Sequence, residues 1–178
     1  MRKGMVVGLV AGFLMAGAVV AAEAPLTAVC ELAPTQGNKV MGTVKFIQHK
    51  GYVTVKAHVT GLTPGKHGFH IHESGDCSAP DASSAKGHFN PGKHDHGAPG
   101  AADRHAGDLG NLNANAKGVA NYTRNDKVIQ LTGPDSIIGR GMIVHEKVDD
   151  YKTQPTGNAG ARVACGEIKL VKEAETKK

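Results

Sequence analysis

The stretch KVMGTVKFIQHKGYVTVKAHV, residues 39–59, decides the fold class. Val40, Gly42, Val44 and Phe46 alternate with Lys39, Met41, Thr43 and Lys45, and after Lys50-Gly51 the same period of two returns in Val53, Val55, Ala57 and Val59. Successive side chains of a strand point to opposite faces, so this pattern predicts a half-buried antiparallel hairpin. Further strands are expected over 27–32, 68–72, 118–122, 142–145 and 162–170, separated by turn signals such as GLTPGK and NAKG. No segment carries an amphipathic helical stripe, and 24 glycines disfavour long helices. The expected class is all-β, an eight-stranded Greek-key barrel or immunoglobulin-like sandwich. Two stretches, 74–107 and 146–161, are long and irregular, and long loops on a compact β frame carry function more often than loops of ordinary length.

The first residues differ from the rest. Met1-Arg2-Lys3 is a basic start, residues 4–20 form an uncharged apolar run, and Val20-Ala21-Ala22 presents small residues where a signal peptidase cuts. A signal peptide over 1–22, cleaved after Ala22, is expected, with one domain over 23–178. The run falls short of a good membrane span of roughly 20 apolar residues. No stable membrane association is therefore expected, and the periplasm is the expected location, with secretion as the alternative. Loss of Arg2 and Lys3 lowers the formal charge from +5 by two units. Such a mildly basic chain, without lysine and arginine clusters interleaved with aromatics, is not expected to bind nucleic acid.

Three cysteines, Cys30, Cys77 and Cys165, imply one disulfide and one spare thiol in an oxidising compartment. Cys30 sits in the apolar run LTAVCEL, where a buried thiol behaves as a small hydrophobe, which favours Cys77 with Cys165. The other two pairings stay open at this point.

GFHIHESGDC, residues 68–77, places His70 and His72 on one face of a strand while Ile71 points to the other. Two such imidazoles can reach one metal ion, but they can equally be exposed polar residues. GHFNPGKHDHGAPGAADRHAGD, residues 87–108, adds His88, His94, His96, His105 and Asp108, a density of imidazole and carboxylate with no packing purpose. His145 ends the apolar run GMIVH, and Arg162 and Cys165 follow in TGNAGARVACG.

Taken together, AVCEL, GFHIHE, GHFNP, HGAP, RHAGDLGN, GRGMIVHEKVDD and TGNAGARVACG, in this order, resemble the Cu,Zn superoxide dismutases, in particular the bacterial exported type. The resemblance implies one copper per chain on His70, His72, His88 and His145, and one zinc on His88, His96, His105 and Asp108, with His88 bridging both. It also implies Asp149 as the carboxylate that orients His70 and His96, Arg162 as the cation that holds the anion, His88 as the group that supplies a proton, and a Cys77–Cys165 disulfide. The implied reaction takes two superoxide anions and two protons to oxygen and hydrogen peroxide by cycling Cu(II) and Cu(I). An all-nitrogen set suits copper, and a tetrahedral set with a carboxylate suits zinc. The alternative is a dismutase-like copper- and zinc-binding or chaperone module without turnover, which predicts a missing copper ligand or a replaced Arg162. Neither is seen.

Some features depart from the family pattern. DYKTQPTG, residues 150–157, is shorter than the guiding loop of the animal enzymes and leaves Lys152 as the candidate guide. Cys77 follows His72 by only five positions. Glu167 and Lys169 interrupt the apolar stretch of the animal dimer face, where charges would be costly to bury unpaired, so a monomer or a different homodimer is expected. His94 is expected to be a solvated polar residue, with metal entry as its other reading.

Overall fold

A computed structural model describes residues 25–171, so the expected signal peptide and the extreme C-terminus lie outside the described residues. The chain forms β1 (Thr27–Pro34), β2 (Met41–His49), β3 (Tyr52–Thr60), β4 (Gly65–His72), β5 (Asp108–Ala114), β6 (Ala120–Asp126), β7 (Gly141–His145), β8 (Arg162–Glu167) and β9 (Lys169–Leu170), with one short 3-10 turn at Ser83–Ala85. All strand pairings are antiparallel, in the order β5-β4-β7-β8-β1-β2-β3-β6. The chain passes from β3 to β4 and from β6 to β7 across the barrel, which gives the expected Greek-key all-β class. At the two ends of that order the Tyr122 hydroxyl of β6 donates to the Leu109 carbonyl of β5 at 2.8 Å, and the Tyr122 ring meets Phe69 edge-on. The barrel is thereby nearly closed.

The hairpin that set the class is β2–β3. Val44, Phe46, Val53, Val55 and Val59 are buried, and Lys45 opposes Lys56 on the exposed face. The main core continues through Phe69, Ile71, Leu109, Leu112, Met142 and Val144. Ile143 faces the other way, onto Ala82, Ala85 and Cys165, so the loop closed by the disulfide rests on a small apolar cluster of its own. Several strand bounds differ from expectation: β4 begins at Gly65 rather than at 68, and β6 runs over Ala120–Asp126 rather than 118–122. The exit of the histidine-rich stretch is a full strand, β5, beginning at Asp108, and the last strand breaks at Ile168. Ile168 exchanges hydrogen bonds with the turn before β7, donating to Arg140 O while Gly139 N donates back, which removes it from the ladder.

Candidate metal centre

β4 carries Ile71 inward and His70 and His72 outward, all fully buried. The main chain of Ile71 holds both ends of the histidine-rich loop: its carbonyl accepts from Phe89 N at 2.8 Å and its N–H donates to Gly107 O at 2.9 Å. His88 and His105, next to these contacts, are therefore brought beside the strand. β7 adds His145 from the adjacent position in the sheet.

The result is two groups of side chains sharing one residue: His70, His72, His88 and His145, and His88, His96, His105 and Asp108, with the potential ligand atoms of each group within 4.8 Å of one another. Every residue of both groups is buried. In the first group the ring nitrogens that face outward are bonded. His70 Nε2 meets Asp149 Oδ2 at 2.8 Å, His72 Nδ1 meets Lys86 O at 2.8 Å, and His145 Nδ1 meets Gly160 O at 3.2 Å. Donation from those atoms leaves the lone pairs on His70 Nδ1, His72 Nε2 and His145 Nε2. These three, with His88 Nε2, are buried and have no hydrogen-bond partner. Orphaned buried nitrogens are costly unless something takes their lone pairs, and four that converge fit a metal ion.

In the second group Asp108 Oδ1 lies 2.9 Å from His88 Nδ1, 3.0 Å from His96 Nδ1 and 3.3 Å from His105 Nδ1. The His96 contact lacks hydrogen-bond geometry, so His96 Nδ1 is a fifth unpartnered nitrogen despite its closeness to the carboxylate. Asp108 Oδ2 is turned away and accepts from the backbone of Gly97 and His105. Three nitrogens around one carboxylate oxygen make a donor set that suits zinc.

Burial drives His72 and His145 well below the ordinary imidazole range and brings His88 down to about 4, so these rings are neutral and able to donate lone pairs at neutral pH. Burial alone would raise Asp108, but the close ring nitrogens of His105, His88 and His96 outweigh it and keep the carboxylate ionised. His96 shows the opposite balance: burial opposes its charge, while the adjacent Asp108 carboxylate and the bond to Asp149 raise it to about 9. Asp149 holds His70 with one oxygen and His96 with the other, at 2.8 and 2.9 Å.

Arg162 is half-buried, and its guanidinium donates to Ala82 O and Lys86 O, each at 2.6 Å. It also borders an open groove of about 690 Å³ with Gln36, Asn38, Asp81 and Ser83, and no histidine lines that groove. Cys77 and Cys165 form a disulfide, and Cys30 is free and buried, its thiol pushed up to about 12 by burial. His94 stands outside both groups, exposed and 2.8 Å from Asp103. Lys152 is exposed.

Several supporting residues escaped the sequence reading. Asn111 clamps the Asp149 main chain, donating to its carbonyl at 3.0 Å and accepting its N–H at 2.8 Å. Buried Arg104 donates to the carbonyls of His105, Ala106 and Asp108 and pairs with Asp126 at 2.7 Å, anchoring the loop to the end of β6. Buried His67 contacts the His145 carbonyl through Nδ1 at 2.9 Å. Arg104 and Asn111 both lie in RHAGDLGN, so the motif contained them, but no periodicity separates them from its other polar residues.

On a nearly closed antiparallel barrel, an all-histidine group and a group of three histidines and a carboxylate, joined at one imidazole, make an arrangement that could hold two metal ions. A family model described as copper/zinc superoxide dismutase matches residues 40–168. The superoxide dismutase [Cu-Zn] 2 of Mesembryanthemum crystallinum is 51% identical over 140 residues, spanning 75% of this chain and 89% of the relative. The extracellular superoxide dismutase [Cu-Zn] of Caenorhabditis elegans is 45% identical over 141 residues, 76% of this chain and 63% of the nematode protein, so this chain matches less than two-thirds of that relative's length. The crystal structure of the clock protein EA4 superposes with a TM-score of 0.77 at 41% identity, covering 85% of this chain and 99% of the other. The chain belongs to the copper/zinc superoxide dismutase family, and its activity is superoxide dismutation with copper and zinc as cofactors.

Proposed function

We propose that copper is held by His70 Nδ1, His72 Nε2, His88 Nε2 and His145 Nε2, and zinc by His88 Nδ1, His96 Nδ1, His105 Nδ1 and Asp108 Oδ1. The observation that carries this assignment is the convergence of four buried, unpartnered nitrogens whose ring partners are already engaged elsewhere. Copper, when bound, supplies the one-electron redox change that superoxide dismutation needs. The chain supplies the rest. Arg162 binds the small anion through its remaining N–H groups, the two carbonyl bonds having fixed the plane of the guanidinium. His88 Nε2 would take up and release the proton, since Nδ1 lies on the zinc side beside Asp108 and burial keeps the ring neutral in the metal-free chain. Asp149 keeps His70 and His96 in register by holding both.

The same reading makes this an exported enzyme of bacterial type, with residues 1–22 removed and residues 23–178 folded in the periplasm or, alternatively, outside the cell. Support comes from the apolar leader, the Cys77–Cys165 disulfide and the extracellular nematode relative. Glu167 and Lys169 pair with each other at 3.1 Å on the surface, which favours a monomer or a homodimer unlike the animal one.

The test is the metal content of two variants. His72→Ala is expected to lose copper and keep zinc, and His96→Ala to lose zinc and keep copper. The assignment fails if each variant retains both metals at wild-type affinity or if the losses are reversed.

A further inference from the structure

The 146–161 loop grips the histidine-rich loop through Gln154, a residue that the ligand assignment does not use. His96 N–H donates to Gln154 Oε1 at 2.8 Å, and Gln154 Nε2 donates to the His96 carbonyl at 3.0 Å. A carboxamide presents a donor and an acceptor side by side in one plane, and here it pairs with a backbone as a neighbouring strand would. Among the described residues these are the only hydrogen bonds of the His96 main chain, and residues 94–98 belong to no regular element. The ring of the same histidine is held at Nε2 by Asp149, five positions before Gln154. His96 is thus fixed at backbone and ring by one segment of a different loop.

That segment has its own internal order. Asp150 N donates to Gly157 O at 2.9 Å and Gly157 N to Thr153 O at 2.7 Å, while the Asp150 carboxylate accepts from Lys152 N, Thr153 N and the Thr153 hydroxyl. Gln154 therefore projects from a preformed turn, and little conformational freedom is lost in making the clamp.

We propose that Gln154 is a positioning residue for zinc: it holds the His96 main chain so that Nδ1 faces Asp108 Oδ1. This inference rests on the assignment of His96 to zinc.

The experiment uses the full copper-loaded protein and its Gln154→Met variant, which keeps the length and removes both polar atoms, with His96→Ala as reference. Gln154 is exposed, so the substitution leaves the barrel core untouched. Zinc affinity is measured by competition with a chromophoric chelator, cobalt(II) serves as an optical probe of the zinc site, and amide exchange is followed at His96, whose N–H the clamp holds. Gln154→Met is expected to bind zinc about tenfold more weakly, as losses of residues that orient metal ligands do. It is also expected to shift the cobalt spectrum and to speed exchange of the His96 amide. Wild-type zinc affinity and an unchanged cobalt spectrum in Gln154→Met, with zinc lost from His96→Ala, would overturn the clamp alone. Zinc retained at full affinity by His96→Ala would overturn the underlying assignment.

Discussion

His72 and Arg162 hydrogen-bond the same atom. His72 Nδ1 reaches the Lys86 carbonyl at 2.8 Å and Arg162 Nη2 reaches it at 2.6 Å. One carbonyl of the loop that begins at the disulfide therefore orients both His72, proposed for copper, and Arg162, proposed to hold the anion.

A lysine at position 162 would keep the charge but lose the planar fork that this carbonyl and that of Ala82 align. Hydrogen bonds to charged groups contribute about 1.5–3 kcal/mol, so Arg162→Ile is expected to lower the second-order rate of superoxide removal by roughly 10- to 100-fold, with Arg162→Lys in between. Copper content should not change. An Arg162→Ile protein with full copper and the wild-type rate would remove Arg162 from the mechanism.

Gly157 makes room for the Asp149 bridge. Its φ is +69°, and a Cβ there would stand 2.0 Å from Asp149 Oδ1 and 2.6 Å from His96 Nε2. Neither atom can retreat without breaking the His96–Asp149 bond. Gly157→Ala is expected to cost about 2 kcal/mol or more and to weaken zinc binding, read by thermal denaturation and zinc titration. Wild-type values for both would show that the bridge does not need this cradle.

The Cys77–Cys165 bond joins positions 88 residues apart and lies over the cluster of Ala82, Ala85 and Ile143. Removing it by Cys77→Ser with Cys165→Ser is expected to cost about 2–5 kcal/mol of stability. Because Lys86 follows in the same loop, activity should fall further than metal content. Equal stability of the two forms in urea would contradict this.

Acid should destabilise the metal-free protein through its buried histidines. His88 is brought down to about 4 by burial, and His72 and His145 are lowered in the same way. The unfolded chain binds these protons near pH 6.5 and the folded chain does not. Their contribution is therefore present above about 6.5 and lost as pH falls toward 4, on the order of 3 kcal/mol for His88 alone. His96, raised to about 9, acts in the opposite sense: its contribution is present below about 6.5 and lost as pH rises through 9. Thermal melts of the metal-free protein should peak near neutrality, and a Tm that stays flat from about pH 6.5 to 4.5 would be inconsistent with neutral buried imidazoles.

Local features were legible where physics acts locally. The period of two in residues 39–59 predicted the β2–β3 hairpin, down to which of Val44, Lys45, Phe46 and Lys56 are buried. His70 and His72 on one face with Ile71 opposite followed from the same period. Contacts made over long separations were visible only through family resemblance. Asp149 meets His70 from 79 positions away and His96 from 53, and no spacing rule encodes that. Gly157, Asn111, Arg104 and Gln154 were illegible because each acts on a neighbour supplied by another loop or strand. The break at Ile168 was missed because its partners are the main chain of a turn before β7.

The central claim is that the paired groups form one working centre, and the most direct test is superoxide removal by the purified protein loaded with copper and zinc, set beside His145→Ala treated identically. His145 belongs to the copper-type group alone and supplies one of its four unpartnered nitrogens. The expected result is rapid removal by the wild-type protein, and a variant that keeps zinc, loses copper and falls to the rate of uncatalysed decay. A wild-type protein carrying both metals that removes superoxide no faster than His145→Ala would contradict it.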